Sequence, residues 1–385
     1  MTGVTSSRPR LRGLFAIAAV GFLALLLNAC GKEEQAIPIA LAGPFTGNAA
    51  AFGDKVRKGA ELMVEEVNAR GGINGVKVKL LIGDDAADPK EAATVAQRFA
   101  ADARIPIVVG HLNSSCTLAA QPIYSRAGVV ELSYGSTNPR IAENSPWTFR
   151  NIYRDDVQGP TVARYAQTIL KLRKVAVFYD NDDYGIGLKT GFVDEAKRIG
   201  LTIIAEEAYT RESTDFTPQL TKIRAAGPDA IFISGLYNEA ALIASQARKL
   251  AIRTQLLSAD GALSDDLIKI GGQAVEGLIL SVPYVFSEED PFAKRFKEKY
   301  GEFPDSWAGQ AYDAVGIAIA AITAVGPNRA KIRDWLASRT TKEKGYQGVT
   351  GLTVFDEHGD VKKPVFFATV KNGKFVPAAQ QLPNG

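Results

Sequence analysis

A chain of 385 residues carries 45 lysines and arginines against 42 aspartates and glutamates, a formal net charge of +3, and 46% of its residues are apolar. That length is a prior for two domains with sizeable cores, and the even charge excludes the basic footprint needed for nucleic acid or an acidic membrane surface. Two cysteines and two histidines, with His111 and His358 far apart and no Cys or carboxylate at metal spacing, argue against zinc and against a disulfide framework.

The first thirty residues read as an address. Arg8, Arg10 and Arg12 precede an apolar run from Leu14 to Leu27, about 14 residues where a spanning helix takes roughly 20. A basic start with a short apolar core is the pattern of a secretory signal. It closes on Leu27-Asn28-Ala29-Cys30, which resembles a bacterial lipoprotein cleavage site, although Asn28 is less usual there than Ala, Ser or Thr. The expectation is removal of residues 1–29, lipidation of Cys30 and a polar tether over 30–35; the alternative is an ordinary signal peptide or an uncleaved anchor, with a bystander cysteine. Removal also takes away the three arginines, which leaves a neutral chain. Cys116 then has no intrachain partner, so core burial must supply the stability.

Beyond the tether, apolar β-prone runs alternate with longer helical segments. The first series is Ile37–Ala42, Val76–Ile82, Ile105–Val109 and Val129–Ser133. The second is Val175–Tyr179, Leu201–Ala205, Ala230–Ser234, Leu256–Ala259 and Leu278–Val282. Val56, Ala60, Met63 and Val67 fall at helical spacing and predict one buried stripe, ended by Gly71-Gly72 with a turn at Asn74-Gly75. Doubly buried strands alternating with helices predict parallel sheets built by right-handed crossovers, and two series predict two α/β, Rossmann-like lobes. Phe149–Pro160 is the first candidate crossing and Pro283 marks a second, before helices near Phe292–Tyr300 and Ala308–Val325. Gly348–Val376 reads as strand pairs with turns at His358-Gly359 and Asn372-Gly373.

No motif carries catalysis. Gly185-Ile186-Gly187 with Gly191 follows a strand, yet Asp180, Asp182 and Asp183 before it would repel a pyrophosphate, so the glycines read as close-packing positions. No Walker loop and no Gly-x-Ser-x-Gly elbow occurs. His111 shares a loop with Ser114, Ser115 and Cys116, but nothing in the sequence identifies a group to orient it. The chain is expected to be no enzyme and to need no cofactor or metal.

Open α/β sheets bind ligands beyond the carboxyl ends of their strands. Here those ends read His111-Leu112-Asn113-Ser114-Ser115 and Tyr134-Gly135-Ser136-Thr137-Asn138, then Asp182-Asp183-Tyr184-Gly185, Gly235-Leu236-Tyr237-Asn238 and Asp260-Gly261. Hydroxyls and a free helix start after Ser114 suit a carboxylate. Asp260 from the other series suits an ammonium. Taken singly, each Ser or Thr reads as a cap or turn residue; the set reads as an α-amino acid held between two lobes.

At these residues the chain resembles the leucine/isoleucine/valine-binding proteins of ATP-driven amino-acid importers, within the type I periplasmic binding family. The resemblance rests on Gly83-Asp84-Asp85 with Asp88-Pro89, on Gly110-His111-Leu112 with Ser114-Ser115 and Thr117, and on Ser136-Thr137-Asn138-Pro139. It continues through Gln158-Gly159-Pro160, Asp183-Tyr184-Gly185 with Gly187, and Phe355-Asp356 with Gly359-Asp360. It implies two lobes joined by a three-strand hinge and closing over the solute, with residues 36–154 plus 284–345 in one, 155–283 plus 346–378 in the other, and 379–385 as a tail. Carried over by position, Ser114 and Thr137 bind the carboxylate with backbone help at Ser136, Tyr184 contributes from the facing lobe, Asp260 pairs with the ammonium and Phe52 flanks the side-chain pocket. The implied partners are an amino acid or related solute and the membrane permease of an ABC importer, with the chain a monomer held to the membrane by its lipid alone.

Three departures qualify this. The family's usual acid at Asp260 is glutamate, one methylene longer, so a water could complete the ammonium contact. A tyrosine often found at Leu236 is missing, with Tyr237 beside it. Two cysteines bridged in some relatives are Ala87 and Asn113 here. The rival readings are a binder of a short amide, urea or aromatic carboxylate, and a sensor of the same fold.

Overall fold

The computed structural model describes residues 1–5, 36–143 and 145–383. Cys30, the tether and most of the signal segment lie outside the described residues. Ile37–Gly385 folds as one unit containing two large sheets.

The first series of apolar runs forms β1 (Ile37–Gly43), β2 (Val78–Asp84), β3 (Ile107–Val109) and β4 (Val130–Ser133), and a short edge strand β5 (Thr148–Arg150) joins them. Their order is β2-β1-β3-β4-β5, parallel throughout. The helices between them are α1 (Ala50–Ala69), α2 (Pro89–Ala101), α3 (Ser114–Ala127) and α4 (Arg140–Glu143). In α1 the predicted stripe of Val56, Ala60, Met63 and Val67 is buried. Gly71 and Gly72 follow at φ +100° and +78°, which a side chain would resist, and Asn74-Gly75 turns the chain into β2. Asp88 caps α2 by accepting from the Lys90 and Glu91 N–H groups, with Pro89 at the first helical position.

After α5 (Asp155–Thr168) come β6 (Lys174–Asp180), α6 (Asp183–Ile199), β7 (Thr202–Tyr209), α7 (Thr217–Ala226), β8 (Ala230–Ser234), α8 (Tyr237–Lys249), β9 (Gln255–Ser258), α9 (Asp265–Gly271) and β10 (Ile279–Val282). Three helices follow, α10 (Pro291–Tyr300), α11 (Ser306–Val325) and α12 (Arg329–Ala337), then a ribbon of β11 (Tyr346–Gly348) and β12 (Gly351–Thr353), and a closing hairpin of β13 (Phe366–Lys371) and β14 (Lys374–Pro377). The second sheet has the order β14-β13-β10-β9-β8-β6-β7. Only its hairpin strands run antiparallel.

Both sheets repeat one plan. The first strand of each series is flanked by the second on one side and the third on the other, β2-β1-β3 and β7-β6-β8. Connections leave in opposite directions at that point, which opens a crevice beyond the strand ends.

The chain passes between the two halves three times. It leaves the first sheet after β5 and returns after β10 to lay α11 against α1. It then crosses again, past the ribbon, to reach β13. α11 is long and apolar, and it is core: Trp307, Ala311, Val315 and Ile322 are buried. Asp313 on the same helix accepts from the Val349 and Thr350 N–H groups at 2.8 and 2.9 Å, which pins the ribbon.

Two expectations need adjusting. The stretch Phe149–Pro160 is more structured than a crossing: it begins in β5 and ends inside α5, so the passage itself is Asn151–Arg154. The His358-Gly359 turn makes a single bridge, Phe355 to Val361, in place of a strand pair. There the Asp356 carboxylate takes the His358 and Asp360 N–H groups at 2.9 and 3.0 Å, donors that a ladder would need.

Candidate ligand-binding site

The strand ends of both sheets face one cavity. A cavity of about 20 Å³ is lined by Phe52 of α1, by Leu112, Asn113, Ser114 and Gly135 beyond the first lobe's strands, by Tyr184, Leu236, Asp260 and Gly261 from the second, and by Trp307 of α11. That volume is room for little more than a water molecule.

Its lining is divided by chemistry. At one end α3 begins at an Asn113 N-cap whose side chain makes no capping bond, and among the described residues the buried Asn113 Oδ1 has no partner. Unfilled donors at a helix start, with the positive end of its dipole, attract an anion. Ser114 Oγ stands in this first turn and accepts from the Asn138 N–H at 3.3 Å. Opposite, Asp260 is buried; its Oδ1 accepts from the Tyr184 hydroxyl at 2.6 Å and from the Gly261 N–H at 2.9 Å, while Oδ2 has no hydrogen-bond partner among the described residues. Burial pushes the Asp260 carboxyl up to about 6, against the pull of the Tyr184 hydrogen bond.

The remaining wall is apolar. Phe52 packs edge-on against Tyr237 at 4.8 Å and against Trp307 at 5.4 Å. Trp307 Nε1 donates to Leu263 O at 3.1 Å, so the indole offers carbon alone to the cavity.

The lobes meet around this space. Ser115 Oγ donates to Asp182 Oδ2 at 3.2 Å, Asn138 Nδ2 donates to Asp183 O at 2.6 Å, and Arg140 pairs with Asp183. On another side the Tyr237 hydroxyl and Asn238 Nδ2 both donate to Asn48 O, at 2.7 and 2.5 Å. Arg211 pairs with Asp180 and Asp182 and extends to Ala87 O at 3.4 Å.

Of the residues named from the sequence, Phe52, Ser114, Tyr184, Leu236 and Asp260 line the cavity. Ser136, Thr137 and Tyr237 are not among its lining residues. Ser136 Oγ donates to Leu112 O at 2.9 Å and sits 2.6 Å from Thr117 Oγ1, so its hydroxyl is committed to the loop. Thr137 is fully buried with Oγ1 unpartnered. Tyr237 is turned toward Asn48. Trp307 escaped the sequence reading, and so did the partner of His111. His111 Nδ1 lies 2.6 Å from Asp85 Oδ2 and Nε2 lies 3.3 Å from the Tyr124 hydroxyl, all of it buried. Both ring nitrogens are engaged, and burial raises the Cys116 thiol well above its usual range, so neither is poised to react.

The glycines of the Gly185-Ile186-Gly187 stretch are indeed contact points. A Cβ at Gly187 would stand 2.8 Å from Asp155 Oδ2, and one at Gly191 would stand 2.7 Å from Asp155 O, so α5 and α6 close on each other there.

The pattern of the family described as periplasmic binding protein matches residues 36–374. The amino acid binding protein of Pseudomonas aeruginosa is 34% identical over 358 residues, covering 91% of this chain and 93% of the relative. Leu/Ile/Val-binding protein homolog 1 of Brucella suis is 34% identical over 347 residues, covering 89% and 92%. Among solved structures, a branched-chain amino acid transporter substrate-binding protein from Streptococcus pneumoniae, in complex with isoleucine, superposes with a TM-score of 0.84 at 30% identity, covering 90% of this chain and 99% of that one.

Proposed function

We propose, on the premise that this chain belongs to the periplasmic binding protein family, that it is an extracytoplasmic binding protein that captures a neutral, branched-chain-type amino acid between two lobes and hands it to an ABC permease. One observation carries this reading: the cavity sets an uncapped helix start against a half-free buried carboxylate, with aromatic and aliphatic walls beside them. An α-amino acid presents a carboxylate, an ammonium and an apolar side chain in that relation.

On this reading the α3 first turn with Ser114, aided by Thr137 and backbone near Ser136, receives the carboxylate. Asp260, held by Tyr184, receives the ammonium. Phe52, Trp307 and Leu236 receive the side chain, with Tyr237 as the buttress behind Phe52. A zwitterion stripped of water must find partners for both charges. Each lobe supplies one, so the solute is fully paired only when the lobes are shut, and binding shifts the population toward closure. The lobes are residues 36–154 plus 284–345 and residues 155–283 plus 346–378; the five-stranded sheet falls within the first and the seven-stranded sheet within the second. The protein acts without chemistry, as a carrier, and is held to the membrane through Cys30.

Thermal denaturation against the twenty amino acids, short amides and aromatic acids tests the reading. Leucine, isoleucine or valine at a hundred times its dissociation constant should add about 2.7 kcal/mol to the apparent stability. Stabilisation by an amide or an aromatic acid, with none from any amino acid, overturns it.

A further inference from the structure

A second buried carboxyl, outside the cavity's lining, has no role in the scheme above. Asp155 opens α5 directly after the first crossing, is fully buried, and neither of its carboxyl oxygens has a hydrogen-bond partner among the described residues. Its N–H donates to Thr137 O at 2.8 Å, and the Thr137 hydroxyl lies next to its carboxyl. The 2.8 Å approach of Oδ2 to the Gly187 Cβ position places this carboxyl on α6 one turn from Tyr184. Tyr184 in turn holds Asp260, whose Oδ2 is open.

The charged and titratable groups around Asp155 are Arg150 at the end of β5, Tyr153 from the crossing, Asp156 on α5, Tyr184 on α6 and Asp260. Arg150 is committed to Asp360 and to the carbonyls of Ser136 and Asn138. Asp156 pairs with Arg154. The Tyr153 hydroxyl accepts from Gln158 at 2.9 Å. The charges of Asp155 and Asp260 thus both bear on the Tyr153 and Tyr184 hydroxyls, and among the described residues no cation is bonded to either carboxyl. Burial, with the charge of Asp260 added, lifts Asp155 well above the usual carboxylate range. In such a pair both cannot ionise together at little cost.

We infer that this cleft exchanges a proton for the solute's ammonium: entry of the ammonium beside Asp260 drives a proton from the Asp155–Asp260 pair into solvent. The ammonium keeps its own three protons, and the pair passes from one charge to two, so the wall and the solute balance. The inference rests on the amino-acid reading above. It follows that affinity rises with pH across the range where the pair titrates, since the proton-bound empty form is the competitor. A solute without an amino group should leave the proton in place.

Isothermal titration with L-leucine at about pH 6.5, in phosphate and in a buffer of much larger ionisation enthalpy, reads the proton count directly. Expected is release of roughly half to one proton per leucine, with a dissociation constant that falls several-fold from about pH 5.5 to pH 7. Asp155→Asn should still bind leucine while releasing markedly less. Leucine binding with no buffer dependence overturns the exchange and leaves the amino-acid reading standing, as does Asp155→Asn releasing protons like the parent. Absence of heat with leucine, isoleucine, valine and alanine alike sinks the amino-acid reading and this inference together. Should Asp155→Asn fail to fold, the buffer dependence of the parent protein decides.

Discussion

The Tyr184 hydroxyl and Asp260 Oδ1 are 2.6 Å apart, and this bond fixes which carboxylate oxygen the cleft receives. The Gly261 N–H falls on the same Oδ1, and Oδ2 has no hydrogen-bond partner among the described residues. On the proposed reading a donor from the solute completes it. Asp260→Ala should weaken leucine binding by at least roughly 2 kcal/mol, the scale for unpairing a buried charge. Calorimetry giving the parent affinity would remove Asp260 from that role.

The same carboxyl burdens the empty protein. Held at about 6 in the fold and near about 3.9 in the unfolded chain, it is ionised in both states at neutral pH, where its burial opposes folding. As pH falls from 6 toward 4 the folded state takes up the proton first, and stability is regained. Asp260→Asn should therefore stabilise the ligand-free protein at pH 7 by about 1–3 kcal/mol, with the gain shrinking toward pH 4. Thermal melts at both values check this; a variant less stable than the parent at pH 7 contradicts it.

Selectivity should follow Trp307. Its ring closes the apolar end against Phe52, and its one polar atom is already bonded to Leu263 O. Trp307→Ala enlarges that end and should shift the preference from valine toward phenylalanine by roughly 1–3 kcal/mol, the range for pocket-size discrimination. An unchanged ratio of affinities places the side chain elsewhere.

Cys116 reports on closure without a label in the site. It lies in the first turn of α3, two residues from Ser114, and is buried with the lobes shut. A thiol reagent reaches it through opening alone, so saturating leucine should slow modification. Equal rates with and without leucine would separate this thiol from the hinge motion.

Much of this architecture is legible in the residues. The strands buried on both faces announce themselves as apolar runs, and the polar stretches that follow them name Ser114, Tyr184, Leu236 and Asp260 before any coordinates. β5 is hidden because Thr148–Arg150 is three residues long and holds a buried arginine, whose partner Asp360 lies 210 positions onward. Trp307 is hidden for a similar reason: it reaches the cleft only because α11 packs on α1, a contact that no local pattern encodes. Ser136 and Thr137 look alike in sequence, yet Thr117 and the Leu112 carbonyl occupy the first hydroxyl while the second stays open. Such competition is decided by tertiary geometry.

The docking of α11 on α1 also dictates when this protein can become solid during its synthesis. Those helices are separated by more than 230 residues, and the second sheet waits for a hairpin made last of all. Neither half has its full covering until the chain is nearly complete, so final consolidation should be slow, as contacts this remote in sequence demand.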